Sequence, residues 1–544
     1  MRKLTLLLSL LPFVTCFAKT EKADLVIYAK RVYSVSNNPA TLAQGIVIRK
    51  GKIVFVGTRA DISAKYLIGS VIKIDGYAYP GFIDAHCHFS GYALDAYKCD
   101  LVGTTSFADV LTRIANYEKT NTLSWIYGRG WDQNDWAIKQ YPDKTELDKL
   151  FPNKPVILKR VDGHAVLCNQ KALDMAGINA STKIAGGIIE TKNGVLTGIL
   201  IDNAADPVEK LVPPLPKEDS ERYLKAMETR CFSEGLTGVV DCGVTKDIIS
   251  LIESLYRKTA LSINNSILLA QDAETINKYA HKGPYRKGQF QVNGIKLYSD
   301  GALGSRGACL LEEYSDMPGH KGMLLSGYNE LNEFAKTSKD NKWQLCTHAI
   351  GDSANRVILD IYGFHLKGKN DLRWRIEHAQ VVDKQDYVKF GRYSVIPSVQ
   401  PTHAISDMPW VITRLGDKRI SNAYAYKALL GQNGWIALGT DFPVEAISPI
   451  ATFYTAVARK DKDGYPSQGF LPANALSRLE ALKGMTLWAA KSVFLENDKG
   501  SLEAGKDADI VILDQDILSI PEADIPKTKV LTTIVQGKIV YSAK

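Results

Sequence analysis

Two histidines one residue apart close an apolar run, Pro-Gly-Phe-Ile-Asp-Ala-His-Cys-His over residues 80–88. In an extended chain, residues two apart point to the same face. His86 and His88 can therefore reach one ion at the end of a strand, although a lone pair of this kind also fits surface or core histidines. Four later positions repeat the pattern of a polar group closing or sitting within an apolar run. Lys296 lies in Gly-Ile-Lys-Leu-Tyr (294–298), His348 ends Gln-Leu-Cys-Thr-His (344–348), His378 ends Arg-Ile-Glu-His (375–378), and Asp441 follows Leu-Gly-Thr (438–440). A lysine inside an apolar strand is costly to bury as a cation. Burial would lower its pKa and expose a neutral amine. Such an amine can take up carbon dioxide and form a carbamate that bridges two divalent ions.

Other residues have two readings each. His164 follows the apolar run at 156–159 and is either a substrate-binding or oxyanion-stabilising group or a structural hydrogen-bonding histidine. Trp131, in Gly-Arg-Gly-Trp-Asp (128–132), either stacks on substrate or packs a loop. His403, in Gln-Pro-Thr-His (400–403), either faces the site or does not, and Arg306 either anchors a substrate carboxylate or makes a surface or ion-pair contact. Asp352 and Glu377 neighbour the proposed ligands and could orient them by hydrogen bonding. His281, His320 and His365 read as loop or surface residues.

The elements that must position these residues are visible as patterns. Residues 81–494 alternate short apolar runs, at 156–158, 238–241, 294–298, 344–348, 375–378, 393–397 and 435–439, with helical stretches such as 220–234 and 480–494. Alternation of this type predicts parallel strands with crossover helices, an α/β fold, in which strand ends converge on one rim. The middle is longer than a minimal barrel, so its connecting loops must be long. The two ends differ. Ala-Asp-Leu-Val-Ile-Tyr (23–28) followed by a hairpin pattern at 46–57 is echoed by Ala-Asp-Ile-Val-Ile-Leu (508–513) followed by 533–541. Short strands need sheet partners, which predicts one small β-domain from residues 19–80 and 495–544 with the middle inserted.

The 544 residues, 45% hydrophobic and 23% charged, suffice for several packed domains. The +8 formal charge is spread along the chain without a basic block, and no nucleic-acid partner is inferred from it. Arg2 and Lys3 before an apolar run at 4–13 and small residues to Ala18 form the pattern of a secretory signal over residues 1–18. That run is too short to span a membrane, and a periplasmic or secreted location is expected. Cys16 fits a lipid-anchor site poorly because Thr15 is large. The seven other cysteines are scattered and lack Cys-x-x-Cys spacing, against a disulfide framework or a cysteine zinc site; one incidental disulfide stays open.

Taken together, residues 80–88, 296–306 (Lys-Leu-Tyr-Ser-Asp-Gly-Ala-Leu-Gly-Ser-Arg), 348–352 (His-Ala-Ile-Gly-Asp), 375–380 (Arg-Ile-Glu-His-Ala-Gln), 439–444 (Gly-Thr-Asp-Phe-Pro-Val) and 500–513 resemble the amidohydrolase superfamily. Within it they resemble the amidohydrolase-3 group of YtcJ-like metal-dependent hydrolases. The resemblance implies a distorted (β/α)8 TIM barrel with a small β-sandwich formed by both termini. It implies that His86, His88 and Asp441 hold one metal, that His348 and His378 hold another, and that carboxylated Lys296 bridges them. Imidazole and carboxylate ligands suit zinc, one or two ions per chain, though manganese, iron or nickel also fit. Metal-activated hydroxide would then attack an amide-type carbon, with Asp441 as general base and acid and His164 assisting. The expected substrate is a small N-acyl, N-formyl or cyclic amide. A heterocycle deaminase, which usually runs on one metal without a bridging lysine, and a non-catalytic metal- or ligand-binding barrel are the alternatives. A homo-oligomer is left open.

Overall fold

The computed structural model describes residues 21–36, 43–121 and 123–543. The signal-peptide and Cys16 readings fall on residues 1–18 and lie outside the described residues. Eight parallel strands form the central sheet, numbered here in chain order: β1 Phe82–Cys87, β2 Leu236–Val244, β3 Asn264–Leu269, β4 Phe290–Tyr298, β5 Gln344–Ala349, β6 Arg375–His378, β7 Ile396–Val399 and β8 Ala437–Leu438. Each pairs with its neighbour in order, and a short antiparallel strand, Tyr285–Lys287, adds to β4. Between β8 and β1, closure runs through the segment just past β8. Asp441 N donates to His86 O at 2.8 Å, and His88 N donates to Phe442 O at 2.9 Å. Asp84 on β1 accepts from Thr440 N at 3.0 Å and from Thr440 Oγ1 at 2.6 Å. Burial pushes the Asp84 carboxyl up to about 7. Gly439 sits at this seam because a Cβ there would meet His86 N at 2.5 Å.

The interior of the barrel follows the two-residue period of the strands. Val240 and Cys242 on β2, Cys346 on β5 and Ile396 on β7 form one buried cluster with Ile83, Ala85 and the residues Ala489, Ala490 and Val493 beneath them. Two residues beyond Cys346 on the same face is His348. The alternate residues of these strands, such as Leu345, Ile376 and Val399, pack outward into the main core with the crossover helices. The helix expected at 220–234 is Lys217–Ser233. The stretch 480–494 is instead two helices, Arg478–Gly484 and Leu487–Ser492, broken at Thr486, whose φ of −134° and ψ of −95° are not helical.

One sequence expectation is corrected here. The run at 156–158 is not a barrel strand. It lies in Val156–Arg160, part of a separate six-stranded sheet built between β1 and β2 from Cys99–Asp100 through Val195–Asp202. Val156 and Leu158 face one apolar cluster and Ile157 another. The run is buried on both faces, as a barrel strand would be, so its composition does not distinguish the two sheets.

The strands of both ends join one eight-stranded sheet, with Ile510–Leu513 antiparallel to Tyr77–Pro80 and the hairpin Ala43–Arg49/Lys52–Gly57 on Glu21–Val32. A buried cation ties this sheet to the barrel. Lys499 pairs with Asp507 and, at 2.9 Å, with Asp509, all three being at most 5% exposed. Asp509 also accepts from Asn264 Nδ2 of β3 at 2.9 Å and from Gln536 N at 2.8 Å. All seven described cysteines are free thiols, and no described helix is long and apolar enough to cross a membrane. Removing one partner of a buried pair leaves uncompensated charge and typically costs about 3–5 kcal/mol. Lys499→Ala is therefore expected to lower the denaturation midpoint sharply, whereas Lys462→Ala, which removes an exposed pair with Asp463, should leave it within error. Equal midpoints in urea unfolding would refute the role given to Lys499.

Candidate metal centre

Strand ends β1, β4, β5, β6 and the segment after β8 deliver six polar groups to one rim. Lys296 Nζ lies 3.1 Å from His86 Nε2. Asp441 Oδ1 lies 3.2 Å from His88 Nε2 and 3.5 Å from His86 Nε2, and its Oδ2 lies 4.0 Å from His378 Nδ1. The His378 ring centre is 4.8 Å from that of His86 and 4.6 Å from that of His348. Except for His88, these residues are at most 4% exposed. His378 and Asp441 have φ values of 75° and 62°, in the left-handed region that disfavours side-chain-bearing residues. Such strain persists where the surroundings over-determine it, often at functional sites.

Hydrogen bonds set the tautomer of each ring, since a nitrogen facing an oxygen acceptor must carry the proton. His86 Nδ1 donates to Glu377 Oε2 at 2.5 Å, His88 Nδ1 to Cys242 O at 3.1 Å, and His378 Nδ1 to Gln400 Oε1 at 2.8 Å. In the His86 and His378 rings this leaves Nε2 as a lone pair, whereas His88 Nε2 faces Asp441 Oδ1. His348 is reversed, its Nε2 donating to Gly301 O at 3.4 Å, which leaves Nδ1 free. Burial and nearby Lys296 bring His86 down to about 4. Burial with neighbouring cationic groups holds His348 and His378 well below the usual histidine range. Burial alone would raise Asp441, but His88, His86 and His378 outweigh it and keep it ionised.

These features fit a divalent cation: the imidazoles of His86, His348 and His378, held below the usual histidine range, stand with His88 around an ionised carboxylate. The Asp441 Oδ1 atom is buried without a hydrogen-bond partner. Two triads, His86–His88–Asp441 and His378–His403–Asp441, place one ligand atom of each residue within 4.8 Å of the others. The first is the expected set. In the second, His403 stands where His348 was expected, because His348 turns its Nε2 toward Gly301 and Asp300. Yet Gln380 Nε2 donates to His403 Nδ1 at 3.1 Å, which places the His403 proton on Nε2 and makes that atom a donor.

Support for the ring cluster comes from beneath. Glu377, fully buried, accepts from Arg375 Nε at 2.6 Å as well as from His86. Arg375 Nη2 also donates to Ala85 O at 2.6 Å and Ser398 Oγ at 2.8 Å. Asp352 does not act this way. Its carboxylate accepts from Leu311 N and Ser353 N, because the turn after β5 carries it away from the rings. Asp300, a residue not singled out in the sequence, receives Ile350 N, Gly351 N and Cys309 N at 2.8–3.0 Å and so pins that turn.

The expectation that burial alone frees the Lys296 amine is also corrected. Burial does depress it, but Tyr298, Cys242, Glu377 and Asp441 outweigh burial and hold it above the usual lysine value. Tyr298 lies on the same strand, but strand convergence supplies Cys242, Glu377 and Asp441, which are invisible from position 296 alone.

Above the rings is a cavity of about 260 Å³ lined by His88, His164, Lys296, His348, His378, His403 and Asp441 among others. His164 enters from the six-stranded sheet, its Nδ1 2.7 Å from Asp202 Oδ1 and its ring centre 5.1 Å from that of His348. Burial opposes protonation of His164, but Asp202 and Asp162 prevail and raise it. Asp202 had no sequence signal, since it ends a strand 38 residues away in the chain. Two expected substrate contacts lie elsewhere. Trp131 is 1% exposed, packs in the core of the six-stranded sheet and donates Nε1–H to Leu158 O at 2.8 Å. Arg306 pairs with Asp316 at 2.9 Å and lines a different, outer depression. Both follow from local packing that a motif does not reveal.

The profile of the Amidohydrolase family matches residues 75–541. The chain is 31% identical to YtcJ of Bacillus subtilis (strain 168), covering 92% of this chain and 96% of that one. It is 25% identical to the N-substituted formamide deformylase of Arthrobacter pascens, covering 96% and 99%. Among solved structures it is similar to an uncharacterized metal-dependent hydrolase from Pyrococcus horikoshii OT3, with 27% identity, a TM-score of 0.72 and coverage of 92% and 98%. With its rim of histidines, lysine and aspartate on an eight-stranded parallel barrel, this chain belongs to the amidohydrolase family.

Proposed function

We propose that the protein hydrolyses a carbon–nitrogen bond of amide type, in an N-acyl, N-formyl or cyclic amide. The observation that carries the reading is the convergence of His86, His88, Lys296, His348 and His378 around one ionised, incompletely hydrogen-bonded carboxylate, Asp441. Similarity to a formamide deformylase along nearly the whole chain supports the choice of bond. The ligand set suits zinc, held by His86, His88 and Asp441 with His378 and His348 beside them. A divalent cation bound there supplies Lewis acidity and brings water deprotonation toward neutral pH.

The chain's own groups carry the proton and the charge. Asp441 accepts the proton of the attacking water and passes it to the leaving nitrogen, a role for the carboxylate oxygen that does not hold the cation, since each ligand residue offers one atom. His164, oriented and made more basic by Asp202, offers a protonated Nε2 to the carbonyl oxygen as negative charge develops. His403 Nε2–H is a second donor into the cavity. Glu377 holds His86 in the tautomer whose Nε2 is free. Lys296, once it has given up its ammonium proton, would form an N–C bond to carbon dioxide and release a second proton to solvent, giving a carbamate whose oxygens extend the ligand set. Export to the periplasm or beyond, read from residues 1–18, belongs to the same proposal.

Three measurements test this reading. Asp441→Asn should lower kcat by at least about 10²–10⁴, the usual range for a lost acid–base group, with an unchanged far-ultraviolet spectrum; undiminished turnover removes Asp441 from the mechanism. Glu377→Gln should weaken metal binding about 10–100-fold, as losses of ligand-orienting partners do, read by competition with a chromogenic chelator. Intact-protein mass spectrometry under native conditions should show the added mass of one carbon dioxide, absent in Lys296→Ala; an unmodified wild-type mass argues against the carbamate.

A further inference from the structure

The charge lining the cavity is one-sided. Carboxylates of Asp132, Asp135, Asp162, Asp407, Asp441 and Glu445 face it, against the cations Arg160 and Lys296 and the imidazole of His164, which is raised by Asp202 and Asp162 and already paired with Asp202 at 2.7 Å. Arg160 is already committed, paired with both Asp132 and Asp162 and bonded to Gln133 Oε1 at 2.9 Å. Lys296 belongs to the ring cluster with Asp441. Three carboxylates remain, Asp135, Asp407 and Glu445, and among the described residues none of them has an ion-pair partner.

Their hydrogen bonds are local and incomplete. Asp407 accepts from Tyr424 Oη at 2.6 Å, Glu445 accepts from Ser406 Oγ at 2.6 Å, and Asp135 stands exposed at the mouth. Burial, with the neighbouring carboxylates adding to it, raises all three, Asp407 to about 7. A second feature of this wall is His403, 5% exposed, whose Nε2 has no hydrogen-bond partner. Trp410, one turn beyond Asp407, adds an aromatic ring to the same lining. Carboxylates beside an aromatic ring are the chemistry that recognises an ammonium or amidinium group. The arrangement is hostile to an anion, because like charges brought together across a desolvated contact cost several kcal/mol.

We infer that the substrate is an amide carrying a cationic group remote from the scissile bond, a mono-N-acylated diamine or an N-acyl amine of similar charge, seated with its cation against Asp135, Asp407 and Glu445. This deepens the amidohydrolase reading and rests on it. Hydrolysis of such a compound consumes one water and releases the acyl group as a carboxylate and the nitrogen as an amine. The carboxylate product leaves a negatively charged wall, and the diamine product is the part the wall retains.

The test uses the full-length metal-loaded enzyme and three amides of equal length: an N-acetylated diamine, its neutral alkyl analogue and its ω-carboxylate analogue. The kcat/KM should fall in that order, with about tenfold or more between the first and the last, as expected where opposite charges attract and like charges repel across a contact. Added salt should raise KM for the cationic amide and lower it for the anionic one. Asp135→Asn, at an exposed position, and Glu445→Gln should each shrink the cation-to-anion ratio. Calorimetric Kd values for the same compounds decide the matter even without turnover. A preference for the carboxylate analogue, or equal binding of all three, overturns the inference. Absence of turnover with an intact preference for the cation leaves the charge assignment standing and defeats the amidohydrolase reading instead.

Discussion

A carboxylate with no solvent exposure, Glu377, lies between a guanidinium and an imidazole at the centre of the barrel. Each alone would be costly there, since removing a charge from water outweighs most single contacts. Together they are tolerable, because Arg375 also bonds to Ala85 O and Ser398 Oγ and so spans β1, β6 and β7. The pairing holds Glu377 well below the usual carboxylate range, through Arg375 and His86 acting against burial. It determines which His86 nitrogen is free, and through that the polarity of the rim. The seam between β8 and β1 lies immediately above, so closure of the barrel and assembly of the rim are one structural event.

Around that centre, each histidine is oriented by a group from another strand or loop: His88 by Cys242 O of β2, His378 by Gln400 after β7, His348 by Gly301 after β4. For His88 and His348 the acceptor is main chain, so ring orientation there follows from strand register, whereas His86 and His378 depend on the side chains of Glu377 and Gln400. The six-stranded sheet adds what the barrel lacks. It brings the His164–Asp202 pair over the rings, and Asp202 packs so closely that a Cβ on Gly301 would meet its Oδ2 at 2.5 Å. The inserted sheet thus forms a wall of the cavity.

How much was legible varied with how local the signal was. The rim residues announce themselves because each is a polar group set against an apolar strand, a costly placement that few roles explain. The two-ended β-domain was legible because the same strand pattern recurs at 23–28 and 508–513. The strand at Val156–Arg160 was misplaced because burial on both faces looks alike in either sheet. Trp131 and Arg306 looked like substrate contacts because aromatic and cationic residues near motifs serve both packing and binding; one packs into a core and the other pairs with Asp316.

By itself, the amino-acid sequence determined the alternation of strands and helices, the pairing of the two ends, and which side chains would stand at strand termini. These depend on periodicity and on hydrophobic cost, both of which are properties of neighbouring residues. Only the tertiary structure decided the protonation of Lys296, the tautomers of the rings, the partnership of His164 with Asp202, and the surplus of carboxylates in the cavity. Those depend on distances between groups far apart in the chain, and electrostatic energy varies with distance rather than with sequence separation.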